Sequence, residues 1–174
     1  MKKFLFSVLA LLTALLLIIG ILELTSSYKV SEDINRNAPV QTQQHIAIHA
    51  SPEKIYQIMS DVNHWSAWNK DIQDPIMTVP FQKGNSFDWK SGGLTIRSTL
   101  HTAIPYRKIG WSGPAFGAFA IHNWTFVPNG VNTTVVVDES MEGWLVTMMH
   151  KKFQSHLEHS LQEWLRNLKI QAEK

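Results

Sequence analysis

The chain opens on an unbroken apolar run. Between Phe4 and Leu22 sixteen of nineteen residues are hydrophobic, and no charge falls inside the stretch. As a helix, nineteen residues at about 1.5 Å each span about 28 Å, close to the roughly 30 Å hydrocarbon core of a bilayer. A cleaved signal has a shorter apolar core, about 7–15 residues, followed by an Ala-x-Ala-like site. The exit here reads Glu23-Leu24-Thr25-Ser26-Ser27, without that motif. The run therefore predicts a single transmembrane signal anchor over residues 1–24, with residues 4–22 in the membrane. Lys2 and Lys3 precede it, whereas Glu23, Glu32 and Asp33 balance Lys29 and Arg36 after it. The positive-inside rule then leaves the N-terminus in the cytoplasm and the remainder outside, periplasmic or at the cell surface. The leader has a bacterial character.

Residues 25–41 are polar with little periodicity and are expected to act as a tether, leaving 42–174 as the folded domain. That domain begins with Gln43–His49, where Ile46 and Ile48 alternate with polar or small residues as in a strand. Ser51 then offers an N-cap and Pro52 a first helical residue, and Ile55, Ile58 and Met59 give one apolar face. A second short helix or turn carries Trp65 and Trp68 on one side. Strand character follows over 76–79, 86–90, 94–102, 107–112, 116–127 and 133–142. The separators are turn chemistry, Gly113-Pro114 and Pro128-Asn129-Gly130 among them. Connections this short join antiparallel neighbours, not βαβ units. From about Thr147 to Ala172, apolar residues from Met149 through Phe153, Leu157, Leu161, Trp164 and Leu165 to Leu168 recur at helical spacing. The class is α+β: an antiparallel sheet that must bury one face against a single long helix. A coiled sheet need not be filled by one helix, so a cavity between them is a natural product of the architecture.

Composition narrows the chemistry. The 174 residues contain no cysteine, which excludes a disulfide scaffold, thiolate metal ligation and a thiol nucleophile. Sixteen Lys+Arg against fourteen Asp+Glu leave no surplus charge to neutralise phosphates, so no nucleic-acid partner is expected. No phosphate-binding glycine fingerprint and no Gly-x-Ser-x-Gly elbow occur. His45 and His49 lie about 13 Å apart on a strand. His150, His156 and His159 fall on the last helix and read as a solvated face; no metal and no cofactor is expected.

Several segments together resemble a known superfamily. They are Ala50-Ser51-Pro52-Glu53-Lys54-Ile55-Tyr56, Asp61 to Asn69, Gly84-Asn85-Ser86-Phe87-Asp88-Trp89, Ile109-Gly110-Trp111-Ser112-Gly113, Trp124-Thr125-Phe126, Asp138 to Gly143, and Leu161 to Lys169. The pattern resembles the START-like, polyketide-cyclase/lipid-transfer (SRPBCC) domains over roughly 43–173. The resemblance implies a helix-grip fold: a seven-stranded antiparallel sheet around the C-terminal helix, with two short helices after strand 1. It also implies a hydrophobic cavity between sheet and helix, but not an activity.

Strand parity maps the inward face. If Trp124 and Phe126 point in, so do Phe116, Ala118, Ala120 and His122. Across the Asn129-Gly130 turn, Val135, Val137, Glu139 and Met141 share that face. Glu139 then either lies opposite or diagonal to His122 or leaves the sheet face for solvent near the strand's end. Neighbouring strands would contribute Phe87, Trp89, Ile96, Ser98, Leu100, Ile109 and Trp111. Trp68 adds to this face, and the helix closes it with Met149, Phe153 and Leu157. Tryptophans at such spacing are first of all core; seven of them in a domain this small also suit a wide apolar lining. The function expected is a membrane-anchored binding domain for a hydrophobic, lipid-like small molecule. The alternatives are a cyclase/aromatase-like enzyme using His122 and Glu139, and a fully packed structural or partner-binding domain.

Overall fold

The computed structural model describes residues 2–28 and 30–174. Lys29, one of the charges flanking the apolar run, lies outside the described residues. Helix α1 (Lys2–Thr25) has no buried residue, and it is long and apolar enough to cross a membrane. Its hydroxyls at Ser7, Thr13 and Thr25 donate to carbonyls four residues back, which satisfies them inside an apolar helix.

The domain then runs β1 (Val40–Ile48), α2 (Pro52–Ser60), a 3-10 turn (Val62–His64) and α3 (Trp65–Trp68). Strands β2 (Gln73–Ile76), β3 (Ser86–Ser91), β4 (Leu94–Ile104), β5 (Lys108–Ala115), β6 (Ala118–Asn129) and β7 (Asn132–Glu142) follow. The chain closes with α4 (Trp144–Met148) and α5 (His150–Ala172). One antiparallel sheet forms in the order β1-β7-β6-β5-β4-β3-β2. This is the helix-grip arrangement.

Ser51 caps α2 by accepting from the Lys54 amide, and Pro52 begins the helix where no N–H is needed. Helix α5 buries Leu157, Leu161, Trp164, Leu165, Leu168 and Ala172 against the sheet. It is also stitched to edge strand β1. Gln154 exchanges hydrogen bonds with the Gln41 backbone, Gln44 donates to the Glu158 carbonyl, and Lys169 donates to the Ala47 carbonyl. Three backbone groups on the otherwise open edge of β1, those of Gln41 and the Ala47 carbonyl, are thereby satisfied.

Four boundaries differ from the sequence reading. Strand β1 starts at Val40, which is fully buried. Strand β2 ends at Ile76, where 76–79 was expected to be strand, because the Asn63 side chain takes both backbone groups of Met77. Gly113-Pro114 is not a turn: both residues lie in β5, with Pro114 paired to Phe119. Pairing of β4 with β5 reaches only Thr99–Ser112, so proline's missing N–H costs no ladder bond there. The turn comes at Phe116-Gly117, with Gly117 at φ +64, and Phe116 is therefore a turn residue and not part of β6. Lastly, the C-terminal helix breaks at Met149 (φ −120, ψ 29), and α4 packs over the β5–β6 turn through a Trp144–Phe116 edge contact.

The described residues between α1 and β1 are docked as a strap along the outer face of the sheet. Tyr28 stacks on Phe119 at 5.1 Å, and the Asn123 side chain donates to the Glu32 carbonyl. Glu32 pairs with Lys83, and Asn35 engages Ser140 and Glu142. On this face Phe119, Ile121, His101 and Ser140 are buried, Phe119 and Ser140 in contact with the strap, so β6 is covered on both sides.

Candidate functional site

The C-terminal part of α5 packs tightly, with Leu168 fully buried. Its first half is held to edge strand β1 but stands off the strands beyond it, leaving a cavity of about 210 Å³. Strands β3 to β7 supply its walls through Trp89, Ile96, Ser98, Trp111, Ala120, His122, Trp124, Glu139 and Met141, and α5 covers it with Phe153, Leu157, Leu161 and Trp164. Phe116 also lines it, from the β5–β6 turn. The exposed lining residues Gly92, Leu94, Phe116 and His156 mark the mouth, between the β3–β4 turn, the β5–β6 turn and α5.

Five other candidates lie elsewhere. Phe87, Leu100 and Val137 are fully buried core residues, Phe87 lying edge-on to Trp65 of α3. Trp68 stacks edge-on against Trp164 from behind the cavity. Met149 sits at the break between α4 and α5, half-exposed and outside the lining. The lining also includes His156, expected on a solvated helix face, and Ser160, which the sequence analysis does not single out. Extending the 3–4 residue periodicity from Phe153 finds both.

Tryptophan fixes the floor. Trp164 packs against Trp65, Trp89, Trp111 and Trp124 at centroid distances of 5.2–6.4 Å. Trp89 donates its indole N–H to Ser98 at 3.0 Å. These rings are core and lining at once.

One polar pair sits within this apolar wall. His122 is directly opposite Glu139 in the β6–β7 register, and Nδ1 approaches Oε2 to 2.6 Å. Glu139 stays inside: its side chain is 4% exposed and that of His122 13%. The contact is a close approach without in-line hydrogen-bond geometry, and Glu139 Oε2 has no other partner among the described residues. The His122 ring stacks on Trp111 at 5.2 Å, which fixes its plane. The indole N–H groups of Trp111 and Trp124 are likewise buried without partners among the described residues. Such a wall can hold apolar surface and offer a few directed polar contacts. Among the described residues, no three His, Asp or Glu side chains converge on a metal position.

Residues 39–173 match the family described as polyketide cyclase / dehydrase and lipid transport. The chain belongs to this family. Solved structures share the fold of this chain. A hypothetical protein from Helicobacter pylori superposes with a TM-score of 0.68 at 14% identity, covering 84% of this chain and 99% of that one. The di-domain ARO/CYC protein StfQ of the steffimycin biosynthetic pathway gives 0.65 at 16% identity, over 77% of this chain and 51% of that one. A START superfamily protein from Mycobacterium smegmatis gives 0.57 at 17% identity, over 74% and 98%. At these identities the likeness is one of fold. No curated protein matches the chain.

Proposed function

We propose that this family member is a membrane-anchored binding protein for a small hydrophobic molecule held between the sheet and α5. The carrying observation is the apolar, tryptophan-walled cavity with one inward polar pair. Its 210 Å³ is below the roughly 300–1,000 Å³ of drug-sized sites, so it suits a single acyl chain or a small ring system, not a whole two-chain lipid. Burial of apolar surface, at about 25 cal/mol per Å², supplies the affinity before ordering costs. Trp89, Ile96, Ser98, Trp111, Phe116, Ala120, Trp124, Met141 and Phe153 are the contacts we assign to the ligand, and His122 with Glu139 orients its polar end. Helix α1 is the anchor, with Lys2 and Lys3 on the cytoplasmic side and the domain outside a bacterial cell membrane.

A second reading rests on the same pair. A histidine beside a buried carboxylate, both facing the ligand space, is a candidate acid/base couple, as a cyclase/aromatase-like reaction would need.

Dansylundecanoic acid added to the full chain in nanodiscs tests the binding reading. Saturable energy transfer from the cavity tryptophans, lost in a folded Ala120→Trp variant, is expected. Equal transfer in both proteins would overturn it and favour a packed structural domain.

A further inference from the structure

The end of the anchor is fastened to the rim of the cavity. Glu23, the one acidic residue of α1, accepts from the Gly117 amide at 3.1 Å and from the Trp144 indole N–H at 3.0 Å. Gly117 belongs to the β5–β6 turn beside the mouth residue Phe116, and Trp144 opens α4 and packs on Phe116. Gly117 has no room for a side chain, since Leu145 Cβ would lie 2.6 Å from its Cβ. The rim, α4 and the last turn of the apolar helix thus form one packed unit.

That unit presents exposed apolar side chains. Met148 is 72% exposed and Phe116 48%, and Leu94 and Met149 add to the surface. Leu24, beside Glu23, is also exposed. Directly after the methionines come His150, Lys151 and Lys152, all exposed. Exposed apolar residues with adjacent cations suit a lipid–water interface carrying anionic headgroups. The Glu23 contacts also put this surface beside the point where a spanning α1 leaves the bilayer.

From this geometry we infer that the cavity rim, Phe116 with Met148 and Met149, docks on the bilayer surface beside its own anchor, with Lys151 and Lys152 on anionic lipid headgroups. The inference rests on the anchored, ligand-binding reading above and deepens it, because the mouth then opens onto the membrane and the ligand enters from the lipid phase. A flexible tether would allow any orientation; the Glu23 contacts select one.

The absence of cysteine allows a clean test with the full chain. Met148→Cys and, separately, Val131→Cys are labelled with an NBD fluorophore and reconstituted in vesicles of phosphatidylcholine with phosphatidylglycerol. Val131 lies in the β6–β7 turn, a strand length or about 36 Å from the rim. With headgroup-nitroxide lipids, quenching at 148 is expected to be at least about threefold that at 131. Lys151→Glu with Lys152→Glu, raised salt, or Glu23→Ala should each lower it. Vesicle flotation is read in parallel. A chain that floats but is quenched no more at 148 than at 131 overturns the docking and leaves the anchor and the ligand cavity standing. A label at 148 shielded from water without lipid quenching also overturns it and assigns the rim to a protein partner. A chain that fails to float removes the anchor and the docking with it.

Discussion

His122 and Glu139 face each other across the β6–β7 ladder with 2.6 Å between Nδ1 and Oε2, inside a wall otherwise built of tryptophan and aliphatic side chains. Their energetic coupling follows from burial. Removing one member of a buried pair leaves the other desolvated without compensation, at about 3–5 kcal/mol. His122→Ala should therefore destabilise strongly in urea unfolding. His122→Leu combined with Glu139→Leu should recover most of the loss, since both polar groups leave the interior together. A double variant as unstable as the single one would show that the two side chains are not a unit.

Gly113 is a packing constraint on the cavity wall. A Cβ there would collide with the Arg97 carbonyl oxygen, which is backbone and cannot rotate aside. Gly113→Ala should cost about 2–3 kcal/mol by forcing β4 and β5 apart. Because Gly113 lines the cavity, dansylundecanoic acid binding should weaken as well. Unchanged unfolding and binding would show that the strands give way freely.

His101, on the outer face beneath the strap, should make stability depend on pH. Burial, and then the positive charge of Lys108, lower its pKa from 6.5 to about 4. Between those values the unfolded chain binds a proton that the folded chain does not, so stability rises with pH across the window. The contribution is fully present above about pH 6.5, fades as pH falls toward 4, and amounts to roughly 3 kcal/mol. Urea unfolding at pH 7 and pH 5 should capture about 2 kcal/mol of it, and His101→Leu should flatten the difference. An equal slope in that variant would assign the effect elsewhere.

The strap itself can be probed by proteolysis. Asn35→Ala removes the side-chain bond to Glu142 and the support of the Asn37 amide, and Tyr28→Ala removes the stack on Phe119. Together they should raise cleavage within residues 30–38 several-fold while costing the domain about 1–2 kcal/mol. Unaltered cleavage would mean that the docking does not rest on these contacts.

The sheet face was legible because strand parity carries only two states. Once Trp124 is placed inward, Ala120, His122 and, across the hairpin, Glu139 follow without reference to any contact. Punctuation was less legible. Gly113-Pro114 has the chemistry of a turn, yet β4 pairing stops at Ser112 and frees the proline to remain in a strand. The break at Met149 has no glycine or proline to announce it; it exists because α4 covers the β5–β6 turn while α5 runs along β1. The strap was hidden because it docks through single contacts instead of a periodic face. Its trace lay in β6, where Ala118-Phe119-Ala120-Ile121 is apolar on both faces and needs two covers. Which inward residues bound the cavity and which are simply core depends on how far α5 stands from the sheet, a distance that no local pattern encodes.

The central claim is that the space under α5 holds a hydrophobic molecule. Native mass spectrometry of the full chain released from nanodiscs tests it most directly. The account predicts a non-covalent adduct of one small apolar molecule, released unchanged on activation and absent from a folded Ala120→Trp variant. A spectrum showing only the bare chain, in the unsubstituted protein as in the variant, would contradict it.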